Sequence, residues 1–178
     1  MKTNWTTSTL LTLVAIFIGC QHRSSPTTHA LDVNSNSLDG ETFLLTVEPD
    51  GAKDVIQTRE SAQDDDDVVI VGRIGGAANP WIKGRAAFSI VDGSLRACSD
   101  LPGDACKKPW DYCCETHKLP TSTALIKVVD ENGDLVMADA RELLNVEELS
   151  TVVVKGKAKR DSAGNLAVLA SGIYVKKQ

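Results

Sequence analysis

The stretch Thr151 to Arg160 (TVVVKGKAKR) alternates between two faces, with Val152, Val154, Gly156 and Ala158 on one and Lys155, Lys157 and Lys159 on the other. Side chains of a strand point to opposite faces in turn, so this pattern demands a strand with one side in a core and the other in water. A helix would wrap valines and lysines around its whole circumference. Four more segments read as strands. Val68 to Ile74 (VVIVGRI) is β-branched and bounded by Gly75-Gly76, Ala86 to Val91 (AAFSIV) ends at Asp92-Gly93, and Ala124 to Val129 (ALIKVV) runs on to Asn132-Gly133, a strong hairpin cue. The turn Asp161 to Asn165 (DSAGN) leads into the last, Leu166 to Val175. Asp139 to Leu149 (DARELLNVEEL) instead sets Ala140, Leu143, Leu144 and Val146 at helical spacing, with Asp139 placed to cap the start.

The order is therefore three strands, a short helix, then two strands, with glycines inside the first and fourth strands at Gly72 and Gly156. This arrangement resembles the OB-fold, a five-stranded barrel whose strands bend sharply and need glycine where they do so. The resemblance spans about residues 68–177 and implies a mainly β domain over 68–178: a five-stranded OB-fold-like barrel with one short helix and a cysteine-rich insert between strands 2 and 3. The chain is also similar to uncharacterised exported proteins carrying OB-like domains, a likeness that implies fold and location only, since a fold does not select its ligand.

The front of the chain differs in character. Lys2 precedes an apolar run, Leu10 to Ile18, followed by Gly19-Cys20, which is the layout of a secretory signal segment and too short for a bilayer-spanning helix. Phe17-Ile18-Gly19-Cys20 resembles the lipobox of bacterial lipoproteins, which implies cleavage before Cys20 and acylation of its thiol. Residues 1–20 are thus expected to be a lipoprotein signal and Cys20 the lipidation site. The protein would be exported and lipid-anchored in the cell envelope, on the periplasmic or outer surface of a membrane. Residues 21–67, rich in Ser, Thr, Asn and Asp, are expected to be a flexible acidic tether ending in the run Asp64 to Asp67. Residues 1–66 hold 10 acidic and 4 basic side chains, against 14 and 15 over the remainder, so the barrel itself is nearly neutral. A neutral body does not draw nucleic acid electrostatically.

The insert at residues 95–118 carries Cys98, Cys106, Cys113 and Cys114. An even number of cysteines in an exported chain points to two disulfides, with Cys98 and Cys106 each taking one of the adjacent pair. The alternative is a zinc or copper site built from Cys106, Cys113, Cys114 and His117, because soft thiolates suit both metals. A redox thiol pair is a third reading, although no C-x-x-C is present, and the absence of C-x-x-C-H excludes covalent haem attachment.

No G-x-S-x-G, H-E-x-x-H or phosphate-binding glycine loop occurs, and His22 and His29 fall in the tether, so catalysis is not expected. Single-stranded nucleic-acid binding, a frequent OB-fold task, would need stacking aromatics, yet aromatic residues make up 4% of the chain and the second strand offers only Phe88. The expectation is a non-catalytic binding or interaction module without a cofactor, whose partner is an envelope protein or small ligand. Its contact residues would be Trp81, Phe88, Trp110 and Tyr112.

Overall fold

The computed structural model describes residues 39–177. Cys20, the segment read as a signal and the first part of the expected tether lie outside the described residues. The strands are β1 (Lys53–Asp54), β2 (Asp67–Ile74), β3 (Ala87–Val91), β4 (Thr123–Val128), β5 (Thr151–Arg160) and β6 (Leu166–Val175). The α-helices are α1 (Val55–Ser61), α2 (Leu119–Ser122) and α3 (Ala140–Leu144).

Five strands close into a barrel in the order β2-β3-β4-β6-β5, and β5 pairs back onto β2. Only β4 and β6 run parallel within the barrel; the other four contacts are antiparallel. This is the mainly β, OB-like architecture that the strand order predicts, and the cysteine insert lies between β3 and β4, the second and third barrel strands.

β2 serves two neighbours, pairing with β5 from Asp67↔Lys157 to Arg73↔Thr151 and with β3 only at Arg73↔Val91 and Ile74↔Ile90. Gly72 lies where that hand-over begins. A Cβ there would stand 2.8 Å from the Val91 carbonyl oxygen and 3.1 Å from Val55 Cγ2, so only glycine lets the two strands and α1 approach. In β5 the pairing with β6 shifts register between Lys155 and Gly156, leaving Ser171 as the extra residue of a bulge. The alternating residues of β5 behave as their pattern requires: Val152, Val154, Gly156 and Ala158 are buried, while Lys155 and Lys157 are exposed. The core is filled by fully buried Ile70, Phe88, Ile90, Ile126, Val154 and Ile173, among others, each stabilising by about 1.5–3 kcal/mol on burial.

The domain begins well before Val68, which corrects the expectation of a tether over residues 21–67 for its described part. A 3-10 turn, Gly40–Phe43, buries Phe43 in the core, and Leu44 bridges to Ile173 of β6. α1 then lays Val55, Thr58 and Ala62 against the barrel. Arg59 donates to the Thr123 carbonyl at 2.9 Å, and the Arg160 guanidinium donates to the Arg59 and Ala62 carbonyls at the C-terminal end of α1, where a cation complements the helix dipole. The aspartate run is likewise pinned to the barrel. It lies beside the lysine face of β5, so that Lys159 meets Asp65 at 2.6 Å and Asp64 at 3.3 Å, and Lys157 meets Asp67 at 3.0 Å. These pairs are exposed and add little stability; the segment's register is fixed by backbone bonds, the Asp65 N–H donating to the Ala158 carbonyl and the Ala158 N–H to the Asp66 carbonyl, both at 2.8 Å.

α3 is shorter than its apolar spacing suggests. Asp139 caps it, Oδ1 accepting the Arg141 N–H at 2.9 Å, and Asn145 ends it in the left-handed region at φ 49°.

Asp92, at the end of β3, is 2% exposed, and its carboxylate accepts the Ile56 N–H at 2.8 Å and the Ser94 N–H and hydroxyl at 2.9 and 2.6 Å. Truncation to alanine strands these donors. Asp92→Ala is expected to cost about 1–3 kcal/mol in urea unfolding, a loss that detaches α1 first.

Candidate metal centre

The loop from Asp92 to Ser122 packs around a small apolar cluster shared with the end of β3. Tyr112 is fully buried against Val91, Leu95 and Ala97, with Leu119 and Leu149 packed alongside. Two 3-10 turns, Cys98–Asp100 and Pro109–Asp111, shape the chain on either side. Asp100 ties the first down, its Oδ2 accepting from the Ala97 N–H at 2.9 Å and from Arg73 Nη1 at 2.6 Å. The second is clamped to the end of β2, where Gly76 donates its N–H to the Trp110 carbonyl at 2.8 Å and a Cβ on Gly75 would meet that same oxygen at 2.6 Å. Gly75-Gly76 therefore does more than end a strand.

These turns bring the sulfurs together. Cys98 Sγ lies 3.3 Å from Cys113 Sγ, and Cys106 Sγ lies 3.9 Å from Cys113 Sγ. Asp111 Oδ1, 3.9 Å from Cys98 Sγ, also accepts the Cys113 N–H at 2.9 Å, which fixes the carboxylate beside the thiols. Cys98, Cys106, Asp111 and Cys113 each offer one ligand atom, all within 4.8 Å of one another, and Cys98, Asp104 and Cys114 form a second such group. Cys98 is shared and buried, whereas Cys113 and Cys114 are exposed.

The four loop cysteines are free. A disulfide requires sulfurs about 2.05 Å apart. Four sulfurs at about 2.3 Å from a tetrahedral zinc lie about 3.8 Å from each other, a spacing that the observed 3.3 and 3.9 Å bracket. Burial pushes the Cys98 thiol up, but hydrogen bonds from the Cys113 thiol and the Cys114 backbone N–H outweigh it and leave Cys98 more acidic than an ordinary cysteine. Cys113 is held far above the ordinary range because it donates to Cys98 and then to Cys106. A cation in the cluster would deprotonate its ligand thiols outright.

His117, expected as a metal ligand with Cys106, Cys113 and Cys114, joins neither group. The Glu115 N–H donates to the Tyr112 carbonyl at 2.8 Å and the Lys118 N–H to the Glu115 carbonyl at 2.9 Å, winding the chain past the sulfurs towards α2. The adjacent Cys113 and Cys114 separate into the two groups, so the four expected ligands do not converge. Sequence reasoning left out Cys98 as a ligand and missed Asp104 and Asp111. Their signal is an aspartate two positions before a cysteine, at Asp104-Ala105-Cys106 and Asp111-Tyr112-Cys113.

Three of the four expected contact residues are interior, which corrects their assignment to a recognition surface. Phe88 and Tyr112 are fully buried and Trp81 is 6% exposed. Trp81 closes one end of the core, with its ring 5.7 Å from Phe88, its Nε1 donating to Glu148 at 2.8 Å and the Arg141 guanidinium 5.6 Å over it. Each is held by core packing, so none meets a ligand in this conformation. Trp110 is half-buried and donates to the Ala78 carbonyl at 3.3 Å. Trp81→Phe keeps an aromatic group but loses the indole's second ring and its hydrogen bond; thermal unfolding is expected to show a loss of about 1–3 kcal/mol, with metal uptake unchanged.

No family model and no curated protein matches the chain. Among the solved structures that match is one described as the structure of the hypothetical protein ygiW from E. coli, at 15% identity, covering 72% of this chain and 94% of that one with a TM-score of 0.39. The barrel assignment rests on the strand pairing above rather than on this likeness.

Proposed function

We propose that the chain is a non-catalytic, envelope-tethered module that holds one thiophilic cation, zinc(II) or copper(I), between Cys98, Cys106, Cys113 and Asp111. The observation that carries this reading is the convergence of three sulfurs and a carboxylate oxygen within 4.8 Å, on a loop packed around a buried apolar cluster. Thiolates favour zinc and copper(I) over magnesium or calcium, and an oxygen as fourth ligand suits zinc. The barrel supplies the rigid floor, because Arg73 and Gly75-Gly76 hold both turns of the loop. Export and a lipid anchor on Cys20 would place this site in the envelope, where it binds or delivers metal. Recognition through barrel aromatics is the weaker reading, since Trp81, Phe88 and Tyr112 are used in packing.

The test is a metal titration of the fully reduced full-length chain under inert gas against a chromophoric chelator. The reading requires saturation at a single zinc per chain, with competition by copper(I). Binding no tighter than that of a variant lacking all four loop cysteines would refute it.

A further inference from the structure

Resting on the metal reading above, we propose that the cluster is an oxidant-gated site: a hydroperoxide joins Cys98 to Cys113, whose sulfurs lie 3.3 Å apart, and the bound cation leaves. The disulfide and metal readings of the loop then describe two states of the same residues. Three features of the geometry support this.

Cys98 and Cys113 are both ligands of the proposed site, so bridging them removes two of its three thiolates in one event. Cys106 and Asp111 alone remain, too few donors to hold zinc, whose structural sites use four. The pair is also closer than Cys106 and Cys113 at 3.9 Å, so the bridge needs the smaller movement. Finally, the two partners differ in access. Cys113 is exposed and meets an oxidant from solution, while Cys98 is fully buried beneath it and does not. That difference orders the steps.

In the loaded site, where the cation would have deprotonated its ligand thiols, the Cys113 thiolate attacks the peroxide O–O bond; a sulfur–oxygen bond forms, the O–O bond breaks, and the departing alkoxide takes a proton to become an alcohol, or water from hydrogen peroxide. Cys113 is then a sulfenic acid. Cys98 thiolate attacks the Cys113 sulfur; the sulfur–sulfur bond forms, the sulfur–oxygen bond breaks, and hydroxide leaves as water after taking a second proton. The two thiolates lose two electrons and the hydroperoxide gains them. The cation departs because its ligands are consumed. Cys114 stays outside the exchange, since its thiol belongs to the other group and reaches Asp104 at 3.9 Å.

The experiment uses the zinc-loaded full-length chain treated with hydrogen peroxide, with released zinc read by a chromophoric chelator and the bridges mapped by non-reducing peptide mass spectrometry. Stoichiometric zinc release, a loss of two hydrogens in intact mass, a Cys98–Cys113 bridge and re-uptake of zinc after a thiol reductant are expected. Cys114→Ser should release zinc at the wild-type rate. Zinc retained after the bridge has formed, or a bridge joining Cys106 to Cys113 or Cys113 to Cys114, overturns the gating while leaving the metal site standing. Failure of the reduced chain to take up zinc at all overturns the metal reading beneath it.

Discussion

A Gly156→Val chain is expected to lose on the order of 4 kcal/mol of stability or more, a large fraction of the roughly 5–15 kcal/mol that holds an ordinary domain folded. Gly156 is buried in β5 at the register shift, and a Cβ there would overlap the Leu169 carbonyl oxygen and stand 2.8 Å from its carbon and 2.9 Å from the Ala170 Cα. Every obstructing atom is backbone of the paired strand β6. None can rotate aside, so relief requires the two strands to part at the bulge. Since β5 also closes the barrel onto β2, the cost would spread to the seam as loss of the Asp67-to-Arg73 pairing. Gly93→Ala is the matched control: nothing lies within 4 Å of a Cβ at Gly93, and a change within about 0.5 kcal/mol is expected. Guanidinium unfolding followed by far-ultraviolet circular dichroism measures both.

The second large effect belongs to the thiol cluster. Cys98→Ser is expected to weaken zinc binding by more than about 100-fold, beyond the loss typical for changes around rather than at a ligand. Cys98 is the sulfur common to both ligand groups, so its loss takes a thiolate from each of them. Serine keeps the fold while burying a hydroxyl in place of the thiol, so the circular dichroism spectrum should stay that of the wild type and the loss of stability should be about 1–3 kcal/mol. Cys114→Ser, outside the four-ligand group, should retain affinity within about tenfold. Competition titrations with the same chelator read both variants on one scale. An equal loss in the two would mean that Cys113 and Cys114 are not divided as the geometry has them.

β5 was legible because period-two alternation survives where one face is buried and the other wet, as at Lys155, Gly156 and Lys157, and the other barrel strands because apolar runs stand beside strong turn signals. The bends at Gly72 and Gly156 were legible for a related reason, since a glycine inside an otherwise β-branched run has little else to explain it. α1 was not, because its buried face is Val55, Thr58 and Ala62, which forms no apolar stripe. The aspartate run looked like a solvated spacer because its partners, Lys157 and Lys159, lie about ninety residues away in β5. Local composition cannot reveal a pairing of that range.

The candidate site was half legible. A cluster of four cysteines announces itself, but which atoms converge depends on turns that the spacing does not encode, such as the left-handed Tyr112 at φ 58° between Asp111 and Cys113. That residue turns Cys113 towards Cys98 and buries its own ring, which is also why Tyr112 proved to be core rather than contact surface. Trp81 and Phe88 followed the same logic, since with few aromatic residues the barrel uses them to fill its interior.

X-ray absorption at the zinc edge of the metal-loaded, reduced protein reports the ligand set itself. Three sulfur scatterers at about 2.3 Å and one oxygen at about 2.0–2.2 Å are what Cys98, Cys106, Cys113 and Asp111 require. Imidazole multiple scattering, which would bring His117 back as a ligand, or a first shell without sulfur, would contradict the site described here.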